Sequence, residues 1–150
     1  SFNSKKFTEV TGLDVQFKQD NQAKSNYGIL RGLHLQKGEH AQAKLVSVIK
    51  GKVIDVAVDM RPNSSTYLQH VAVELSESNH LQLFVPRGFA HGYVVLEDNT
   101  IFYYKCDNFY CKEAEGGVLY NDPTLKIDWH IKESNMLLSD KDKLLPTIHS

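Results

Sequence analysis

From residue 15 onward, apolar and polar positions alternate in short runs with the period of a strand. The pattern predicts strands at Val15–Phe17, along the stretch from Gly28 to Gln36, from Lys44 through Ile49, at Lys52–Asp59, Tyr67–Leu75, Leu81–Val85, Gly92–Leu96 and Thr100–Lys105. In the Lys52–Asp59 run, Val53, Asp55, Ala57 and Asp59 face opposite to Ile54, Val56 and Val58. Turn-forming residues separate the runs: Gly51, Arg61-Pro-Asn-Ser-Ser, Ser76-Glu-Ser-Asn, Pro86-Arg-Gly88 and Glu97-Asp-Asn99. Ahead of them, Phe2, Phe7 and Val10 mark a short helix ended by Gly12. The stretch from Asp122-Pro123 to His130 reads as irregular, and Ser139 to Asp142 opens a last helical turn. Many short strands, frequent turns and little helical periodicity predict an all-β sandwich or barrel.

The length, 150 residues, fits one domain spanning 1–150. A chain of this size buries roughly two-thirds of its unfolded surface and needs neither disulfide nor metal to fold. Lys plus Arg number 17 and Asp plus Glu 18, a net charge of -1, so no nucleic-acid surface is expected. No apolar run approaches the ~20 residues of a membrane span, and no signal peptide is visible. Cys106 and Cys111 read as a reduced pair of a cytoplasmic protein. The chain starts at Ser1 rather than Met, as a processed or truncated chain would.

Candidate chemistry narrows this picture. Arg31, His34 and Lys44 put an arginine, a base and a cation on neighbouring strands, which suits an anionic substrate carrying a carbonyl. Each also has a plainer reading. Lys44 fits a solvated strand lysine, and Asp142 a helix-capping acid. Arg31, three residues before His34, faces away from it on an ideal strand, unless a bulge re-aims it. Tyr103 and Tyr104 alternate, so only one points inward.

Pro86-x-Gly88-x-x-His91 resembles the second motif of the cupin superfamily, a double-sheet jelly roll. Metal-binding cupins carry His-x-His in the first motif; here that place reads His34-Leu-Gln36, and Glu39 and His40 lack the spacing. No metal is expected. His91 then reads as a core-lining histidine that orients its neighbours and borders the substrate.

The fuller set is Gln19-Asp-Asn21, Leu30-Arg-Gly-Leu-His34, Gln42-Ala-Lys44, Asp55-Val-Ala-Val-Asp59, Pro86-x-Gly-Phe-Ala-His-Gly92, Tyr104-Lys105, Asn121-Asp-Pro123 and Leu138-Ser-x-Lys-Asp142. In kind, order and spacing it resembles the dTDP-4-dehydrorhamnose 3,5-epimerase family over nearly the whole chain. The resemblance implies a cupin-type jelly roll that epimerises a dTDP-linked 4-keto-6-deoxyhexose with no cofactor, as a homodimer, in deoxysugar synthesis. It implies His34 as the base with Asp142 behind it, Tyr104 as the acid, and Lys44 at the C4 oxygen. It further implies Arg31 on the diphosphate, Gln19 and Asn21 on the nucleotide, and Tyr110 and Glu115 lining the pocket. Carbons 3 and 5 flank the ketone, so enolate formation acidifies their protons; a base, an acid on the opposite face and a stabiliser of the enolate oxygen are the groups the reaction needs.

The chain departs from the pattern in places. An N-terminal Arg-Gly-Phe-Phe segment, which in the family reaches the partner's nucleotide site, has no counterpart, and its loss is expected to leave a sheet edge open. Arg87 stands where glutamate is common, and His40 where an uncharged polar residue is. The rival readings are a 3- or 5-monoepimerase or a 3,4-ketoisomerase on the same scaffold, a non-catalytic nucleotide-sugar-binding jelly roll, and a metal-dependent cupin.

Overall fold

The computed structural model describes residues 1–150. Nine strands form two antiparallel sheets: β1 (Gln19–Ser25), β2 (Leu30–Gln36), β3 (Lys44–Lys50), β4 (Lys52–Asp59), β5 (His70–Ser76), β6 (Leu83–Val85), β7 (Phe89–Val95), β8 (Thr100–Cys106) and β9 (Glu115–Gly117). One sheet has the order β1-β8-β3-β6 and the other β5-β4-β7-β2-β9. This is the expected all-β jelly roll. Two short helices complete it, α1 (Ser4–Thr11) and α2 (Asp140–Lys143). Asn3 caps the start of α1 by accepting from the Lys6 N–H, and Gly12 closes it in the left-handed conformation, φ 72°. Phe7 of α1 lies against Phe84 of β6, so the helix covers part of the outer face of the four-stranded sheet.

Three expected strands differ. The one expected at Gly92–Leu96 begins earlier, at Phe89, because Phe89 to His91 already pair with Asp59 to Ala57 of β4. Val15–Phe17 is irregular: Phe17 is held edge-on by Phe2 and Phe7 rather than by a strand partner. Tyr67–Gln69 forms a turn, with the Leu68 N–H donating to Asp59 O, so β5 begins only at His70. The knot around buried Asp59 imposes that turn. Its carboxylate accepts from Arg61, Ser64 and Thr66, and the Arg61 guanidinium holds its carboxyl far below the usual range.

Two hydrophobic cores explain why β4 and β7 are buried on both faces. Between the sheets, Val46, Val48 and Phe102 meet Val53, Ala57, Leu75, Tyr93 and Val95. On the other side of the five-stranded sheet, Leu30, Leu33, Ile54, Val56, Val58, Ala90 and Val94 pack against Val118, Leu125 and Trp129. The irregular C-terminal third is therefore the lid of the second core. It is fixed by polar anchors: buried Asp122 accepts from the N–H groups of Thr124 and Ile148, and Trp129 donates to Tyr120 O. A parallel bridge, Ile29 to Leu137, then brings the chain alongside β2 and delivers α2 to it.

One irregularity matters for function. Arg31 pairs with Tyr93 and His34 with His91, so three steps along β2 match two along β7. This is a β-bulge. It lets Arg31 and His34 present side chains to the same face, the re-aiming that an ideal strand forbids. Gly32 sits in the bulge at φ 120°, where an added Cβ would come within 2.7 Å of both Gly92 Cα and His91 O. Gly32→Ala is expected to destabilise the fold, by about 1–3 kcal/mol from the backbone conformation alone, and to abolish activity. Thermal melts and turnover of the purified variant check this; a variant that melts and turns over like the wild type would show that the bulge does not depend on glycine.

Candidate active site

The two sheets open at one end into a cleft of ≈ 450 Å³ bounded by β1, β2, β3, β7, β8 and the segment carrying α2. Register dictates what enters it. Asn21 stands opposite Tyr104 and Gln19 opposite Cys106, while Lys44 is paired with Cys106 on the other side, so these side chains share the inner face. On the facing sheet the bulge adds Arg31 and His34, with His91 and Tyr93 beside them.

Seven of the residues expected from sequence line this one cleft: Asn21, Arg31, His34, Lys44, His91, Tyr104 and Asp142. Tyr103 instead faces outward, toward a separate depression near Phe2 and Ile49. That depression is larger, ≈ 700 Å³, but no histidine–carboxylate pair lines it. Gln19 stands next to the cleft, its Oε1 accepting from the Tyr110 N–H. Tyr110 and Glu115 lie at the rim rather than in the wall: the Tyr110 hydroxyl donates to Glu115 at 2.7 Å, and Lys141, which lines the cleft, donates to the same carboxylate at 2.6 Å.

Asp142 is the keystone. The Ser139 hydroxyl caps α2 by accepting from the Asp142 N–H, which fixes where the carboxylate points. Its Oδ1 lies 2.6 Å from His34 Nε2, and its Oδ2 accepts from the Gly32 N–H at 3.0 Å. Burial pushes the Asp142 carboxyl up, but the hydrogen bonds from His34 and Gly32 outweigh it and hold the group below its ordinary range. Nε2–H donating to Asp142 leaves Nδ1 as the free nitrogen of the His34 ring, which is about one-third exposed.

Facing this pair, Lys44 Nζ lies 5.4 Å from the centre of the Tyr104 ring. Burial pushes the Lys44 ammonium down and pushes the Tyr104 phenol up to about 12, so the phenol keeps its proton throughout the neutral range. The cleft therefore offers a carboxylate-backed imidazole, a protonated phenol, a lysine and an arginine around one space. It offers little for a metal: no group of three or more His, Cys, Asp or Glu side chains is arranged to hold one, and both cleft histidines already have one ring nitrogen on a carboxylate.

Sequence reasoning missed three contributors. Asp55 is wholly buried, with Oδ1 2.7 Å from His91 Nε2. Tyr93 backs the cleft and stacks on Phe102 with ring centres 3.8 Å apart. Lys141 comes in beside Asp142. Asp55 had a visible signal, an acid on the inward face of an otherwise apolar strand.

The family model described as dTDP-4-dehydrorhamnose 3,5-epimerase matches residues 1–150. The chain belongs to this family. As a member it is an isomerase of the epimerase class. It is 51% identical over 142 residues to the dTDP-4-dehydrorhamnose 3,5-epimerase of Shigella flexneri, covering 95% of this chain and 77% of the relative. Its structure is similar to that of the enzyme of the same name from Elizabethkingia anophelis NUHP1, with TM-score 0.95, 59% identity, and coverage of 99% and 81% of the two chains. It is also similar to dTDP-6-deoxy-D-glucose-3,5-epimerase of Legionella pneumophila Philadelphia 1 in complex with dTDP-4-keto-L-rhamnose, with TM-score 0.94, 45% identity, and coverage of 99% and 78%. No helix is long and apolar enough to cross a membrane.

The anchoring of Asp142 sets a pH dependence. A carboxyl held below its ordinary range contributes stability that is present above the unfolded value, near pH 4, and is lost as pH falls through the folded one. Asp142→Asn is expected to melt below the wild type at pH 7, with the gap closing as pH drops below about 4. Paired melting curves from pH 7 to 3 test this, and a gap independent of pH would remove the ionised carboxylate from the account.

Proposed function

We propose that this cleft epimerises a dTDP-linked 4-keto-6-deoxyhexose, inverting C3 and C5 by proton abstraction and return. One observation carries the reading: His34, backed by Asp142 at 2.6 Å, shares its cleft with a protonated Tyr104 and with Lys44. His34 Nδ1 takes the proton from a carbon beside the ketone; the C–H electron pair moves into the C4–O enolate as the imidazole becomes a cation held by Asp142. Lys44 donates to the enolate oxygen as charge develops there. Tyr104 returns a proton from the opposite face and recovers its own from solvent, to which His34 releases the proton it took.

Substrate holding falls to the remaining residues. Arg31 suits the diphosphate, which a guanidinium fork grips in two places. Asn21 and Gln19, on the inner face of β1, reach the nucleotide end, with Tyr110 and Glu115 at the rim and His91 against the sugar. Supporting a cytoplasmic setting, Cys106 and Cys111 are both free thiols.

Incubation with dTDP-4-keto-6-deoxyglucose in D2O, followed by NMR, tests the reading. Deuterium is expected at both C3 and C5; label at one position only would make this a monoepimerase, and none at either would sink the assignment. His34→Asn is expected to lower exchange about 10²–10⁴-fold. Tyr104→Phe keeps the ring and the base, so exchange is expected to outlast product formation. Equal loss of both would reduce Tyr104 to a packing residue.

The active unit is a homodimer in this reading. Strand β1 pairs only with β8 and leaves its other edge open beside the cleft, and the outer face of the same sheet exposes Ile49 at 53%. An open edge and an exposed isoleucine on that sheet both favour a second copy. Sedimentation at micromolar concentration is expected to give a dimer; a monomer that binds dTDP tightly would remove the partner from the nucleotide site.

A further inference from the structure

A second histidine–carboxylate pair lies under the cleft, and proton abstraction does not use it. Asp55 projects from the inner face of β4, opposite Tyr93 of β7 and with no exposure to solvent. Oδ1 takes the Nε2–H of His91, while Oδ2 is buried with no hydrogen-bond partner in the protein. An unpartnered oxygen of a buried carboxylate costs stability, so its presence in the most enclosed part of the sheet calls for a reason.

The surrounding charges supply one. Around Lys44 stand Tyr104 and Cys106 of β8, Asp55 of β4, His91 and Tyr93 of β7, Arg31 and His34 of β2, Asn21 of β1, and Lys141 and Asp142 near α2. Arg31 is cationic, and Lys141 is matched by Glu115. Asp142 is committed to His34 and the Gly32 N–H. Burial pushes the Cys106 thiol up, so it is neutral at pH 7, and Tyr104 and Tyr93 are both held near 12. Burial, with Lys44 and His34 adding to it, also pushes the His91 imidazole down. The Asp55–His91 pair therefore carries one net negative charge. Two groups, Cys106 and then Asp55, oppose the burial that drives Lys44 toward its neutral form, and with the Cys106 thiol protonated at pH 7 the Asp55 carboxylate is the anionic one of the two.

We propose that Asp55 is a positioning residue that keeps Lys44 an ammonium and fixes the His91 tautomer, leaving His91 Nδ1 as an acceptor toward the sugar. This rests on Lys44 acting at the enolate oxygen. A neutral amine there could neither hold the developing charge nor give a proton to it. Asp55→Asn is the informative change: an amide of nearly the same shape, presenting its oxygen to His91, preserves the hydrogen bond and removes only the charge.

The test follows the charge of Lys44 directly. In protein carrying 13Cε-lysine, the Lys44 resonance, assigned through Lys44→Arg, is titrated by NMR in wild type and in Asp55→Asn. Its midpoint is expected to fall by about 1–3 pH units in the variant, the size an opposite charge nearby produces. The alkaline limb of kcat should move down by the same amount, with dTDP affinity unchanged. In the double variant Asp55→Asn/Lys44→Arg that moved limb should vanish, because a guanidinium does not deprotonate in this range. An unshifted Lys44 midpoint in a folded, dTDP-binding Asp55→Asn protein would overturn the proposal. So would a loss of turnover that is equal at every pH. Inactivity of the wild type on the 4-ketosugar would instead fail the epimerase reading and leave the NMR result standing.

Discussion

The structure turns on one carboxylate placed in one bulge. Putting an extra residue into β2 frees a backbone N–H at Gly32 from the ladder. A buried N–H without a partner is costly, and Asp142 meets it with one oxygen while holding His34 with the other. The group that repairs the bulge is thus the group that orients the His34 ring. The same bulge turns Arg31 into the cleft, so Arg31 and His34 both reach it through a single backbone irregularity. Everything that brings Asp142 there follows from it: the Leu137 bridge, the Ser139 cap, and the packing of Trp129 and Leu125 beneath the five-stranded sheet.

Much of this was legible in the chain. Alternation placed β3, β4, β6 and β8 closely, because a one-residue slip would turn the apolar residues that face the inter-sheet core away from it. Strand β4 reads most clearly: Val53, Asp55 and Ala57 do face opposite to Ile54, Val56 and Val58. The split of Tyr103 and Tyr104 between faces follows from the same period. Val15–Phe17 misled because three aromatic rings can hold an alternating segment in place without a ladder. Tyr67–Gln69 misled because the Asp59 hydrogen-bond knot, a tertiary feature, takes the backbone into a turn.

The site was harder to read from local pattern. Asp142 lies 108 residues from His34, and nothing in Ser139-Asp-Lys-Asp142 distinguishes a capped helical turn from a catalytic support. The motif resemblance named it; periodicity could not. Asp140 and Asp142 are equivalent by composition, but only Asp142 is buried. Asp55 was the reverse case. Its inward register on an apolar strand was visible, but its meaning depends on His91 and Lys44 arriving from two other strands.

The two histidine–aspartate pairs show how environment divides one piece of chemistry into two tasks. Their contacts are almost the same, 2.6 Å for His34 to Asp142 and 2.7 Å for His91 to Asp55. Their surroundings are not. The His34 side chain is 33% exposed and its carboxylate has a second donor in the Gly32 N–H, so a proton arriving on the ring meets water on one side and a settled anion on the other. His91 is 5% exposed, with Lys44 and His34 nearby, and each of these disfavours a charged ring. In the proposed reaction the first pair changes charge during the cycle and the second keeps its charge constant. A site that forms an enolate needs both, because the cation that receives the developing negative charge must be charged before the proton leaves.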